Sequence, residues 1–294
     1  MPQIRANDID IEYETFGSES DRPLLLTMGL GAQMVLWDES FCEALADRGH
    51  YVIRYDNRDV GLSTKFEEAG EPNLLQLILS PADAPALAYT LDDMADDAAG
   101  LLEALGIASA HVCGASMGGM IVQTLALRHR DRVRSMTSIM STTGNPELPP
   151  GDPAVTARLA QEPAASREEA IARTVETFKI IGSPGFPFDE AGVRDKAARS
   201  YDRCFLPSGQ MRQMAAILRQ PNRVPALRGL DLPSLVIHGA ADPLVPVTGG
   251  RDTANAIPGA ELLEIEGMGH DLPAAVHGQI VDRICKLIER AEAA

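Results

Sequence analysis

Ser116 sits in Gly114-Ala115-Ser116-Met117-Gly118, with Gly119 directly behind it. The pentapeptide fits G-x-S-x-G. It stands between a short apolar run, Ala110-His111-Val112-Cys113, and a helical stretch that begins at Ser116 or Met117 and ends near His129. A serine at a tight strand-to-helix turn is held in strained backbone geometry with its Oγ pushed outward, and the flanking glycines remove Cβ atoms that would clash there. The helix that starts at the turn aims its N–H groups and positive dipole end at the reacting centre. The pentapeptide alone could be a glycine-rich turn with an incidental serine. Its strand-to-helix context makes Ser116 a candidate nucleophile.

A serine hydroxyl is a weak nucleophile and needs an adjacent base. Of the six histidines, His270 is the best placed, in Gly267-Met268-Gly269-His270-Asp271, after the last expected strand and before the final helix. His111 reads as a core or sheet-edge residue, His129 as a helix C-terminus, His238 as a strand end, and His50 and His277 as surface positions. The base needs an orienting carboxylate. Asp242, in Gly239-Ala240-Ala241-Asp242-Pro243, follows the apolar run Leu235-Val236-Ile237-His238 and so falls at the C-terminal end of a strand, where sites of open α/β sheets lie. An Asp-Pro turn is common by itself. The chain order Ser116, Asp242, His270 is what favours a nucleophile–acid–base set. Met28-Gly29-Leu30-Gly31 also follows a buried run, so the Leu30 and Met117 N–H groups are candidate oxyanion donors. Gly29 to Met34 begins like a dinucleotide loop, but Met34 replaces the third glycine.

The elements that must position these residues alternate between β-rich runs and helical stretches, which predicts an α/β domain with a mostly parallel sheet. Ile9, Ile11 and Tyr13 alternate with acids after a turn at Asn7-Asp8, predicting an exposed antiparallel strand. Strands are expected over Pro23–Met28, Tyr51–Asp56, Ala110–Cys113, Ser135–Met140, Ser234–His238 and Glu261–Ile265. Helices are expected over Leu91–Leu105 and Val276–Ala293. Between Gly144 and Pro225 the strand pattern stops, and helices are expected over Pro153–Ala160, Arg167–Ile181, Asp189–Cys204 and Ser208–Arg219. This insert has eleven basic and ten acidic residues, whereas the whole chain carries a net charge of −16. A near-neutral helical insert in an acidic α/β chain reads as a cap (144–225) over a core made of 1–143 and 226–294. Trp37, Met211 and Met214 are candidate walls of a substrate pocket. Packing onto the core is the competing reading for the methionines.

The 294-residue chain is 45% hydrophobic and 23% charged, which excludes a disordered or fibrous protein. Its negative field disfavours nucleic acid and anionic lipid surfaces. The four cysteines are far apart and form no C-x-x-C pair, which suggests neither zinc ligation nor a disulfide framework. Residues 104–127 contain no charged side chain. Their glycines, with Ser116 and Gln123, fit a strand, a turn and a helix rather than a membrane span. With four reduced thiols and no apolar leader at the N-terminus, the expectation is a cytoplasmic protein with no nucleic-acid or membrane partner.

The Met28-Gly29-Leu30 loop, the stretch from Arg54 to Ser63, the Gly114–Gly119 elbow, Gly239–Pro243 and Gly267–His270 together resemble the α/β-hydrolase superfamily over essentially the whole chain. Within it, the glycine loop followed by Trp37, the Tyr55-Asp56-Asn57-Arg58-Asp59 stretch and Gly267-Met268-Gly269-His270-Asp271-Leu272-Pro273 are most similar to aclacinomycin methylesterase-like carboxylic-ester hydrolases. The resemblance implies an eight-stranded sheet flanked by helices, a helical cap after the sixth strand, and no metal or organic cofactor. Many relatives have His-Gly where this chain has Met28-Gly29, but a backbone donor at Leu30 does not depend on that side chain. The expected activity is that of a serine carboxylesterase acting on a small to medium, uncharged ester through an acyl-enzyme on Ser116. The alternatives are lactonase, perhydrolase or C–C bond hydrolase chemistry, or a non-catalytic ligand-binding protein on the same fold.

Overall fold

Asn7 and Asp8 both have positive φ, 45° and 61°. That is the backbone of a two-residue hairpin turn, and it joins β1 (Gln3–Ala6) to β2 (Ile9–Phe16) with Ala6 opposite Ile9. In this computed structural model, which describes residues 2–80, 83–158 and 163–293, β2 is less exposed than its acidic alternation suggests. Ile9 and Ile11 join a core cluster with Met94 and Ala98, because the helix Leu91–Ala104 lies across the hairpin. That helix starts with a capping box, in which the Thr90 side chain accepts from Asp93 N–H and the Asp93 carboxylate from Thr90 N–H.

The remaining strands are β3 (Arg22–Thr27), β4 (His50–Tyr55), β5 (Ala110–Ala115), β6 (Val133–Ile139), β7 (Ser234–Gly239) and β8 (Glu261–Ile265). They form one eight-stranded sheet in the order β1-β2-β4-β3-β5-β6-β7-β8. β2 runs antiparallel to its neighbours β1 and β4, and the pairings from β4 across to β8 are parallel. Leu25, Val112 and Met136 pack into one apolar cluster, with the helices Leu91–Ala104 and Met117–Arg128. Leu24, Leu26, Cys113 and Ile237 pack into the other, with Glu39–Ala46 and Ala274–Ala293. Strands buried on both faces read as continuous apolar runs, which is why β3, β5 and β7 were legible.

The parallel strands deliver the chemistry-bearing residues to one edge. The 29–31 loop follows β3, Ser116 follows β5, Asp242 follows β7 and His270 follows β8. The insert between β6 and β7 is helical among its described residues. Its main helices are Pro153–Arg158, Arg167–Ile181, Glu190–Arg203 and Pro207–Leu218, and the second and third pack against each other. The expected end of the first helix at Ala160 lies outside the described residues. Residues 104–127 divide into β5 and most of the 117–128 helix, and among the described residues no helix is long and apolar enough to cross a membrane.

Candidate active site

Ser116 has φ 57° and ψ −119°, a combination that L-residues rarely adopt and that costs about 1–3 kcal/mol. The surroundings hold it there. Its N–H donates to Ile139 O at 2.9 Å, and its carbonyl accepts from Ser141 Oγ at 2.8 Å. The glycines are required by close approach. A Cβ on Gly114 would overlap the Gly118 carbonyl, and one on Gly118 would overlap the Thr27 carbonyl. The serine is thus wedged between β3, β5 and the start of its own helix, with its side chain still partly accessible.

Ser116 Oγ lies 2.9 Å from His270 Nε2, and His270 Nδ1 lies 2.7 Å from Asp242 Oδ2. The carboxylate can only accept, so Nδ1 carries the hydrogen and Nε2 presents its lone pair to the serine. Asp242 is pinned on its other oxygen, where Oδ1 accepts from the N–H groups of Leu244 and Val245, both at 2.9 Å. Burial raises the Asp242 pKa, but the His270 charge and the hydrogen bonds from His238, His270 and Val245 reverse that and bring it down to about 2. Asp242 therefore stays ionised at neutral pH.

The sequence left His238 as a strand end. It is fully buried, donates from Nε2 to Val245 O at 2.8 Å, and lies 3.5 Å from Asp242 Oδ2. It therefore ties together the turn that carries the carboxylate. The His270 loop is held from the insert. His270 N–H donates to Ile181 O at 2.6 Å, Gly269 N–H to Ser183 Oγ at 2.9 Å, and Gly185 N–H to Gly267 O at 2.9 Å. Ser183 also hydrogen-bonds the Asp271 carboxylate, whose pKa burial pushes up.

The glycine loop meets the serine. A Cβ built on Gly29 would stand 3.1 Å from Ser116 Cβ and 3.6 Å from its Oγ. Neither Leu30 N–H nor Met117 N–H has a hydrogen-bond partner among the described residues. Two donors without partners beside a nucleophile suit an oxyanion. Arg54, Asp56 and Arg58 are buttresses. Arg54 pairs with Glu14 and donates to Trp37 O, Arg58 grips Asp97 at 2.6 and 2.7 Å, and Asp56 accepts from Met34 N–H, Leu62 N–H and Arg203.

The expected pocket walls divide. Trp37 is 1% exposed and stacks on Phe41 with ring centroids 5.6 Å apart, inside the core. It is placed as packing and not on an accessible wall. Met211 and Met214 are half-buried on the helix Pro207–Leu218. That helix reaches the glycine loop through Gln213, whose Oε1 accepts from Gly31 N–H at 2.8 Å.

Residues 22–273 match the family model for the α/β hydrolase fold. The chain belongs to the α/β-hydrolase family. This α/β hydrolase is 31% identical to rhodomycin D methylesterase DauP of Streptomyces sp. (strain C5) and 30% identical to rhodomycin D methylesterase DnrP of Streptomyces peucetius, each over 96% of both chains. In fold it is similar to the meta-cleavage product hydrolase of Pseudomonas fluorescens IP01, with a TM-score of 0.76, 19% identity, and coverage of 99% of this chain and 98% of that one. It is a carboxylesterase-type hydrolase.

Proposed function

We propose that the enzyme hydrolyses a small to medium, uncharged carboxylic ester through an acyl-enzyme on Ser116. The observation that carries this reading is the continuous relay Ser116–His270–Asp242, at 2.9 and 2.7 Å. His270 takes the Ser116 proton as Oγ attacks the ester carbonyl. Asp242 keeps the imidazole in the receptive tautomer and stabilises the imidazolium. The Leu30 and Met117 N–H groups hold the oxyanion. His270 then protonates the departing alcohol, and water attacks the acyl-enzyme by the same route.

Residues 144–225 act as the cap over a core of 1–143 and 226–294. Support comes from three of the insert's anchors, Ile181 on the His270 loop, Arg203 on Asp56 and Gln213 on Gly31. An uncharged substrate is favoured because the insert is near neutral and two arginines that it turns onto the core are already paired, Arg203 with Asp56 and Arg212 with Asp59. A methyl ester is the first alcohol portion to try, given the two methylesterase relatives. Met211 and Met214 would line the acyl side.

The test is Ser116→Ala on p-nitrophenyl esters and on methyl esters of aromatic acids. The expected loss in kcat is about 10⁴-fold or more, with thermal unfolding unchanged. A folded variant with wild-type turnover would overturn the proposal.

A further inference from the structure

We propose that Gln213 is a positioning residue for the oxyanion loop, acting from the insert on the backbone that carries Leu30. The inference rests on the reading of Leu30 N–H as an oxyanion donor. Gln213 is fully buried and lies 182 positions from the residue it holds. Its Oε1 accepts from Gly31 N–H at 2.8 Å, and its Nε2 donates to Arg58 O at 2.8 Å. A backbone N–H can only donate and a carbonyl can only accept, so the amide has one orientation and both its ends are used. Arg58 is itself fixed by Asp97, so the far end of the strut is anchored in the core.

The loop's own hydrogen bonds show what the strut does. Gly29 O accepts from Ala32 N–H at 3.2 Å. A peptide unit is planar, so fixing the Gly29 carbonyl turns Leu30 N–H, in the same plane, to the opposite side. Gln213 fixes the next plane through Gly31 N–H. Leu30 thus stands between two held peptide planes, and its N–H is the one left to meet a ligand. Gly31 has φ +65°, a left-handed conformation that suits glycine, and a Cβ there would press on the Gln210 side chain. Gly31 lies inside the turn that Ala32 N–H closes on Gly29 O, so releasing it would loosen that turn and let the plane carrying Leu30 N–H swing. A donor that is present but misaimed is felt when charge develops on the substrate oxygen and hardly at all in the resting complex.

The experiment compares wild type with Gln213→Leu, Gln213→Asn and Gln213→Glu, using p-nitrophenyl butyrate turnover and inhibition by phenylboronic acid. In the boronate adduct, Ser116 Oγ bonds to boron as its proton passes to His270, and a boron-bound oxygen occupies the oxyanion position. Leucine removes both hydrogen bonds. Asparagine is polar but one methylene too short, and serves as the milder variant if leucine does not fold. Glutamate keeps an acceptor for Gly31 N–H but sets a second acceptor against the Arg58 carbonyl, and so breaks the far end of the strut alone. The expected result is a kcat lowered about 10- to 100-fold in Q213L or Q213N, with KM within about twofold and boronate affinity weakened in proportion to kcat/KM. Q213E, whose second oxygen is repelled by the Arg58 carbonyl, is expected to lose kcat as well. A folded Q213L or Q213N with wild-type kcat and boronate affinity would overturn the proposal. So would a loss confined to KM. Failure of the underlying esterase reading would look different, because wild type itself would then show neither ester turnover nor boronate inhibition.

Discussion

Replacing Asp242 by asparagine tests the relay at the group that sets the tautomer. Oδ1 accepts two backbone N–H groups, from Leu244 and Val245, each at 2.9 Å. An asparagine must keep its oxygen there, because turning the amide over would point N–H at N–H twice. Its NH₂ therefore occupies the Oδ2 position, 2.7 Å from His270 Nδ1. A donor now faces Nδ1, so the imidazole must move its hydrogen to Nε2, which then cannot accept the Ser116 proton. The side chain is isosteric and the turn keeps its hydrogen bonds, including His238 Nε2–H to Val245 O. The damage should therefore fall on chemistry and leave folding nearly intact. A wrong-tautomer base costs about 10⁴ in kcat, or about 5.5 kcal/mol of barrier. The assay is kcat and KM for p-nitrophenyl butyrate beside a thermal melt. Asp242→Asn with kcat within tenfold of wild type and an unchanged melt would refute the reasoning, because the carboxylate would then not be orienting the base.

Gly118→Ala places a methyl group against the Thr27 carbonyl and should destabilise the fold by about 3 kcal/mol, seen as a lowered denaturation midpoint or loss of soluble protein. Burial lowers His111 to about 4, although Glu292 pulls the other way, while an unfolded histidine titrates near about 6.5. Between those values the unfolded chain binds more protons, so stability should fall as pH drops through that window, and His111→Gln should flatten the dependence in melts at pH 7 and pH 5. Because Asp242 is held at about 2, its ionisation should add no break to the acid side of the kcat/KM profile between about pH 3 and 5; a second break there would show that its carboxylate is not held ionised. Met214→Trp should cut kcat/KM for hexanoyl and longer esters more than for acetyl, and an equal effect on all chain lengths would remove Met214 from the acyl side.

Much of this architecture was legible because local patterns and global fold agree. β3, β5 and β7 are apolar runs buried on both faces, and the helix Arg167–Ile181 begins at a serine whose side chain accepts from Glu169 N–H. The Ser116 elbow carries its own signature, since the glycines that make it recognisable are those that close approach demands. Other features depend on distance in space that no spacing encodes. The helix Leu74–Leu79 was not foreseen, and its Leu75, Ile78 and Leu79 are more than half exposed, so it lacks the one-sided pattern that marks an amphipathic helix. Trp37 follows the glycine loop closely enough to suggest a pocket wall, but only packing against Phe41 decides where an indole goes. Gln213, Ser183 and His238 reached the site unnoticed for the same reason. Their partners are backbone groups of other loops, and a glutamine, a serine or a strand-end histidine gives no sign of such a partner in the sequence.

The most direct measurement of the central claim is the intact mass of the protein after exposure to a fluorophosphonate, followed by peptide mapping, on wild type and Ser116→Ala. An activated serine displaces fluoride and keeps the phosphonyl group. The account predicts one adduct per wild-type chain, located on Ser116, with ester turnover lost in step with labelling and no adduct on the alanine variant. Ester turnover that persists after complete labelling of Ser116, or an adduct on a different residue with Ser116 unmodified, would contradict it.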